Sequence, residues 1–78
     1  MKPLFIGVVP LPDYMLKFFL KDGSIRMFNM KPYLTKGDFI KLKDWEVFKT
    51  VRLDTFEGVE WSYANLSLSK DTIISHMY

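Results

Sequence analysis

The side chains able to do chemistry are few. Among them are one histidine, His76; the serines Ser62, Ser67, Ser69 and Ser75; and two carboxylate pairs, Glu57 with Glu60 and Asp44 with Glu46. A lone imidazole has no second histidine, and no cysteine, with which to build a ligand set, so His76 is expected at the surface rather than as a base or metal ligand. None of the serines sits in the glycine-framed elbow that presents a nucleophile, and they read as turn and cap residues. A catalytic carboxylate pair needs a pocket that drives the two pKa values apart, and both pairs here are expected to face water. Gly7, Gly23, Gly37 and Gly58 stand alone, without a phosphate-cradling loop opening a long helix. The expectation is a protein that is not an enzyme and that holds no cofactor and no metal.

What remains is a mixture of basic and aromatic groups, Lys17, Phe19, Arg26 and Phe28, with Met15 and Met30 nearby. Cations beside aromatic rings can neutralise phosphates and stack bases, as single-stranded nucleic-acid platforms do, and Arg52 would add a further phosphate contact. The same rings would be buried equally well by a helix of the same chain or by a second subunit. Whether the four residues form one face depends on the element that carries them.

That element is a β-hairpin over residues 13–30, closing on Asp22-Gly23. A two-residue loop of the mirror-image type sets Leu20 against Ile25, Phe18 against Met27 and Leu16 against Asn29, and gathers Lys17, Phe19, Arg26 and Phe28 on the opposite face. If Gly23 instead forms a bulge after a Lys21-Asp22 turn, the pairing slips by one, and Arg26, Phe28 and Met30 join Leu16, Phe18 and Leu20. The first register matches apolar residues better and is the preferred one.

Around the hairpin, residues 3–9 read as a first strand that Pro10 and Pro12 end, since neither can donate a ladder hydrogen bond. Pro32 suits a first helical turn, stopped at Thr35-Lys36-Gly37, and residues 38–49 read as broken helix with Asp44 as a cap. A second hairpin turns through Glu57-Gly58, with Val51 and Leu53 on one side and Val59, Trp61 and Tyr63 sharing the apolar face of the return strand. Trp61 is placed in the core. Ser69 opens a short last helix with an Ile73, Ile74 and Met77 stripe. The sum is an α+β fold: a small antiparallel sheet of two hairpins plus an N-terminal strand, with short helical segments packed on one face.

Seventy-eight residues with 49% hydrophobic content make one globular domain, 1–78, with room for a single core. Such a core supplies no more than about 3–5 kcal/mol, so a homodimer or another partner is a natural source of further stability. The absence of cysteine fits a reducing compartment. No run approaches the roughly 18 apolar residues of a membrane span and no secretory signal is evident, so a soluble, cytoplasmic protein with no membrane partner is expected. A net charge of +2 neither demands nor forbids nucleic acid.

The order of landmarks resembles a small bacterial family, the domain of unknown function numbered 2442, over nearly the whole chain. Tyr14 and Leu16 lead into a strand ending at Asp22-Gly23, Leu42 and Phe48 precede the second hairpin, Trp61 is the strand tryptophan, and Ser69-Lys70-Asp71 is similar to the family's helix start. The chain departs from the pattern after Trp61, where relatives often carry a glycine and an aspartate and it has Ala64 and Ser67. The resemblance implies no established activity. It does imply a gene beside a second small domain, arranged like a toxin-antitoxin pair. The function expected is therefore a non-catalytic interaction module, an antitoxin-like or accessory partner of a small protein encoded beside it. The alternative is a single-stranded nucleic-acid-binding domain that uses the basic and aromatic hairpin face.

Overall fold

The computed structural model describes residues 4–55 and 58–78. The chain runs β1 (Phe5–Pro10), β2 (Met15–Leu20), β3 (Ile25–Asn29), two 3-10 segments, α1 (Trp45–Phe48), β4 (Arg52–Leu53), β5 (Val59–Trp61), a 3-10 turn, β6 (Leu66–Leu68) and α2 (Lys70–His76). The fold is mixed α+β: two three-stranded antiparallel sheets, ordered β1-β2-β3 and β4-β5-β6, plus short helices. The expected second hairpin gains a third strand, β6.

The first hairpin closes through a three-residue loop. Gly23 N–H donates to the Leu20 carbonyl and Leu20 N–H to the Ser24 carbonyl, while Gly23 takes φ 91°, a conformation glycine adopts without steric cost. The Asp22 carboxylate accepts from the Ser24 N–H (2.8 Å) and hydroxyl (2.6 Å), and these bonds hold its pKa below the ordinary carboxylate range. Phe18 accordingly pairs with Arg26 and Leu16 with Phe28, so the preferred two-residue register is not the one formed. The slipped register wins because it buries Phe28 and Met30, whereas the preferred one would have set Asn29 opposite Leu16 on the core face. On the other side β1 pairs with β2 through a bulge at Ile6, between the Phe5↔Leu20 and Gly7↔Phe19 pairs.

The helical middle follows its caps. Residues 31–33 form a turn with Pro32 near its start, residues 37–43 form a 3-10 segment, and the Asp44 side chain accepts from Glu46 N–H to open α1. Ser69 likewise accepts from Thr72 N–H at the start of α2.

In the second sheet Asp54 holds the β4–β5 connection from both sides: its N–H donates to the Gly58 carbonyl, and its carboxylate accepts from Gly58 N–H at 2.9 Å. Glu57, half of the expected turn and of one carboxylate pair, lies outside the described residues. After Trp61 the chain does not stay extended. A 3-10 turn over Ser62–Ala64 and a left-handed Asn65 (φ 57°) reverse it into β6, where Leu66 pairs with Trp61 and Leu68 with Val59. Tyr63, expected on the inner face with Trp61, is thereby 85% exposed, and Ala64 is buried in its place.

One core unites the sheets. Leu16, Phe18 and Phe28 from the first meet Leu42 and Phe48 from the middle and Val59 and Trp61 from the second, with Ile73 of α2 closing the cluster. Tyr14 ties these layers together: its ring packs on Trp45 and Phe48, and its hydroxyl donates to the Lys43 carbonyl. Gly58 is the tightest point of the second sheet, since a Cβ there would lie 2.2 Å from the Leu68 carbonyl oxygen, a backbone atom that cannot swing aside. Gly58→Ala is therefore expected to push β5 from β6 and cost about 1–3 kcal/mol in chemical denaturation. An unchanged midpoint would show that the two strands separate freely at that point.

Candidate interaction surface

Alternation along the first sheet divides its side chains between two faces. The inner face carries Phe5, Val8, Leu16, Phe18, Leu20 and Phe28 into the core. The outer face carries Gly7 and Val9 from β1, Lys17 and Phe19 from β2, and Ile25 and Met27 from β3. Val9 is 40% and Ile25 48% exposed, and Phe19 and Met27 are half-buried. Lys17 arches across this face with its Nζ 5.4 Å from the Phe19 ring centre, a cation–π arrangement that keeps the ammonium wet and the ring partly covered. The Phe19 ring lies over Gly7, where a Cβ would make ordinary contact with Phe19 Cδ2 at 3.5 Å.

Of the four residues singled out by sequence, Lys17 and Phe19 share this face and the other two do not. Arg26 belongs to the inner-face register opposite Phe18, but it stands at the sheet's edge, exposed, with its guanidinium 3.4 Å from the Ile25 carbonyl. Phe28 is fully buried, and its ring stacks on Tyr33 at 5.7 Å. Met30, expected at the base of the outer face, is fully buried too. The one-residue slip at Gly23 accounts for all three displacements. A pair of stacking rings is thus reduced to Phe19 alone, and Arg52 lies on the other sheet, 3.4 Å from the Glu60 carboxylate. Val9, Ile25 and Met27 are the surface residues that sequence reasoning missed. The signal that would have found Ile25 and Met27 is the alternative register.

Two clefts are lined by described residues. One, of about 320 Å³, is lined by Asn29, Pro32, Tyr33, Lys36 and His76, with the Lys36 ammonium 5.5 Å over the Tyr33 ring. The other, of about 270 Å³, is lined by residues including Asp54, Glu60, Trp61 and Asn65. Its carboxylates are engaged, Asp54 by Gly58 N–H and Glu60 by Arg52 and the Ser62 hydroxyl at 3.1 Å. Among the described residues no three His, Cys, Asp or Glu side chains are grouped as a metal ion requires, and no helix is long and apolar enough to cross a membrane.

No curated protein and no solved structure shows significant similarity to the chain. Residues 5–76 match the model of the family described as protein of unknown function (DUF2442). That match spans both sheets and all the short helices between them, and the chain belongs to this family.

Proposed function

We propose that the protein is a non-catalytic interaction module, an antitoxin-like or accessory partner of a small protein encoded beside it, working in the cytoplasm. The observation that carries this reading is the outer face of the first sheet, where Val9, Phe19 and Ile25 stand partly in water while the opposite face of the same strands is packed into the core. Contiguous apolar side chains on an antiparallel sheet cost free energy when solvated, and a second protein removes that cost. Lys17, on the central strand beside Phe19, sets a cation within this apolar surface.

Co-expression with the neighbouring gene product tests the proposal. A complex with micromolar or tighter affinity is expected, and Phe19→Ala should weaken it about tenfold or more, as loss of an aromatic anchor does. Absence of a complex at micromolar concentrations would count against the reading.

A further inference from the structure

We propose that the outer edge of β3 is a strand-acceptor site, which takes an extended partner segment, antiparallel, with an acidic side chain opposite Arg26 and an apolar one opposite Phe28. The inference rests on the interaction-module reading and adds to its outer face the strand edge that borders it. Its starting point is a pairing within the chain: Met27 N–H donates to the Tyr78 carbonyl at 2.6 Å, and Tyr78 N–H donates to the Met27 carbonyl at 2.8 Å. Two reciprocal bonds between one pair of residues are the narrow pair of an antiparallel ladder. The edge of β3 therefore accepts an extended segment, and in this structure that segment is Met77-Tyr78.

The pairing engages Met27, one of the residues of β3 whose backbone faces outward. Phe28 and Arg26 turn their backbone groups toward β2, so Ile25 and Asn29, two residues either side of Met27, turn theirs outward with Met27's. An incoming strand centred on Met27 would reach all three. The side chains state what that strand should be. In the register set by Tyr78, the position opposite Phe28 is held by Met77, which packs against the core, and the position opposite Met27 is held by Tyr78, 68% exposed on the outer side. The next position faces Arg26, an exposed guanidinium whose hydrogen bond in the structure is a long one to the Ile25 carbonyl. A carboxylate there gains a charged cross-strand partner. The position after it faces Ile25, where an apolar side chain would extend the outer apolar surface.

The test uses the full chain, isotopically labelled, and two synthetic nine-residue peptides. Both carry β-branched residues at the positions facing Phe28 and Ile25 and differ only at the position facing Arg26, which is glutamate in one and lysine in the other. The glutamate peptide is expected to bind and to slow exchange of the Ile25 and Asn29 amides about tenfold or more at saturation. The lysine peptide should bind roughly fivefold more weakly, and Arg26→Glu should invert that order. Tyr78→Pro, which cannot donate to the Met27 carbonyl, should tighten peptide binding by removing the competing segment. Met27→Pro, which deletes an outward N–H of an edge strand, should abolish binding while the melting transition persists.

Failure of both peptides to protect either amide at millimolar concentration overturns the site. Equal binding of the two peptides overturns the acidic partner. Protection that rises with protein concentration and no peptide present makes a second copy the occupant, and overturns the proposed one. A neighbour-encoded protein that binds the Met27→Pro variant at full strength also overturns the site while leaving the interaction module standing. Peptide binding without any such protein complex overturns the module reading alone.

Discussion

Replacing Trp61 with alanine is expected to unfold most of the isolated protein. The indole is fully buried, stacks on Phe48 with ring centres 6.1 Å apart, and donates from Nε1 to the Phe48 carbonyl at 3.0 Å. Truncating an aromatic of this size in a core costs about 3–5 kcal/mol, through lost transfer free energy and the cavity left behind. That is comparable with the roughly 3–5 kcal/mol a core of this length supplies in total. The Phe48 carbonyl keeps its bond from the Val51 N–H, so the lost indole bond adds only about 0.5–1.5 kcal/mol, and Trp61→Phe isolates that part because it keeps a ring while removing the donor. Trp45→Ala should cost less, since Trp45 is half-buried at the start of α1 and touches the cluster from its margin. Thermal melts of the three variants are the measurement. A Trp61→Ala protein that melted like the parent yet lost its partner would make the indole an interface anchor instead of a core one.

The same cluster shows why the resemblance noted in sequence was legible while the function was not. Leu16, Leu42, Phe48 and Trp61 are all fully buried, and Tyr14 packs on Phe48 at 5.1 Å. The landmarks that mark the family are thus those that hold two sheets on one core. They constrain packing and leave the outer surface free to vary. Local chemistry was equally readable where a single residue decides it: Ser69 and Asp44 cap the helices that follow them, and Pro10 closes β1 as its last residue.

What failed was decided by residues acting together. Asp22-Gly23 suits both a two-residue and a three-residue loop, and the choice rests on the Asp22 bonds to Ser24 and on the burial of Phe28 and Met30 in the core shared with the second sheet. Strand β6 was hidden because a 3-10 turn over Ser62–Ala64 and a left-handed Asn65 reverse the chain into it, with no glycine or proline to announce the turn. The alternation through Val59 and Trp61 continued on paper to Tyr63, but the chain had already turned.

That slip makes the second large prediction, a contrast between two phenylalanines on adjacent strands. Phe28→Ala is expected to destabilise the protein by about 3–5 kcal/mol, because its ring is fully buried between Leu16 and Tyr33. Phe19→Ala is expected to cost about 1 kcal/mol, a fraction of full burial for a partly exposed ring, and to act mainly on partner binding. Had the two-residue loop formed, both rings would lie on the outer face and both substitutions would be mild. Denaturation midpoints of the two variants, measured together, therefore read out the register of the hairpin directly. Equal and small losses would restore the two-residue register, return Arg26 and Phe28 to the face of Lys17 and Phe19, and with them the basic and aromatic platform that single-stranded nucleic acid would use. A large loss at Phe28 alone leaves Phe19, Ile25 and Val9 as the surface, and that surface offers a partner protein apolar contact.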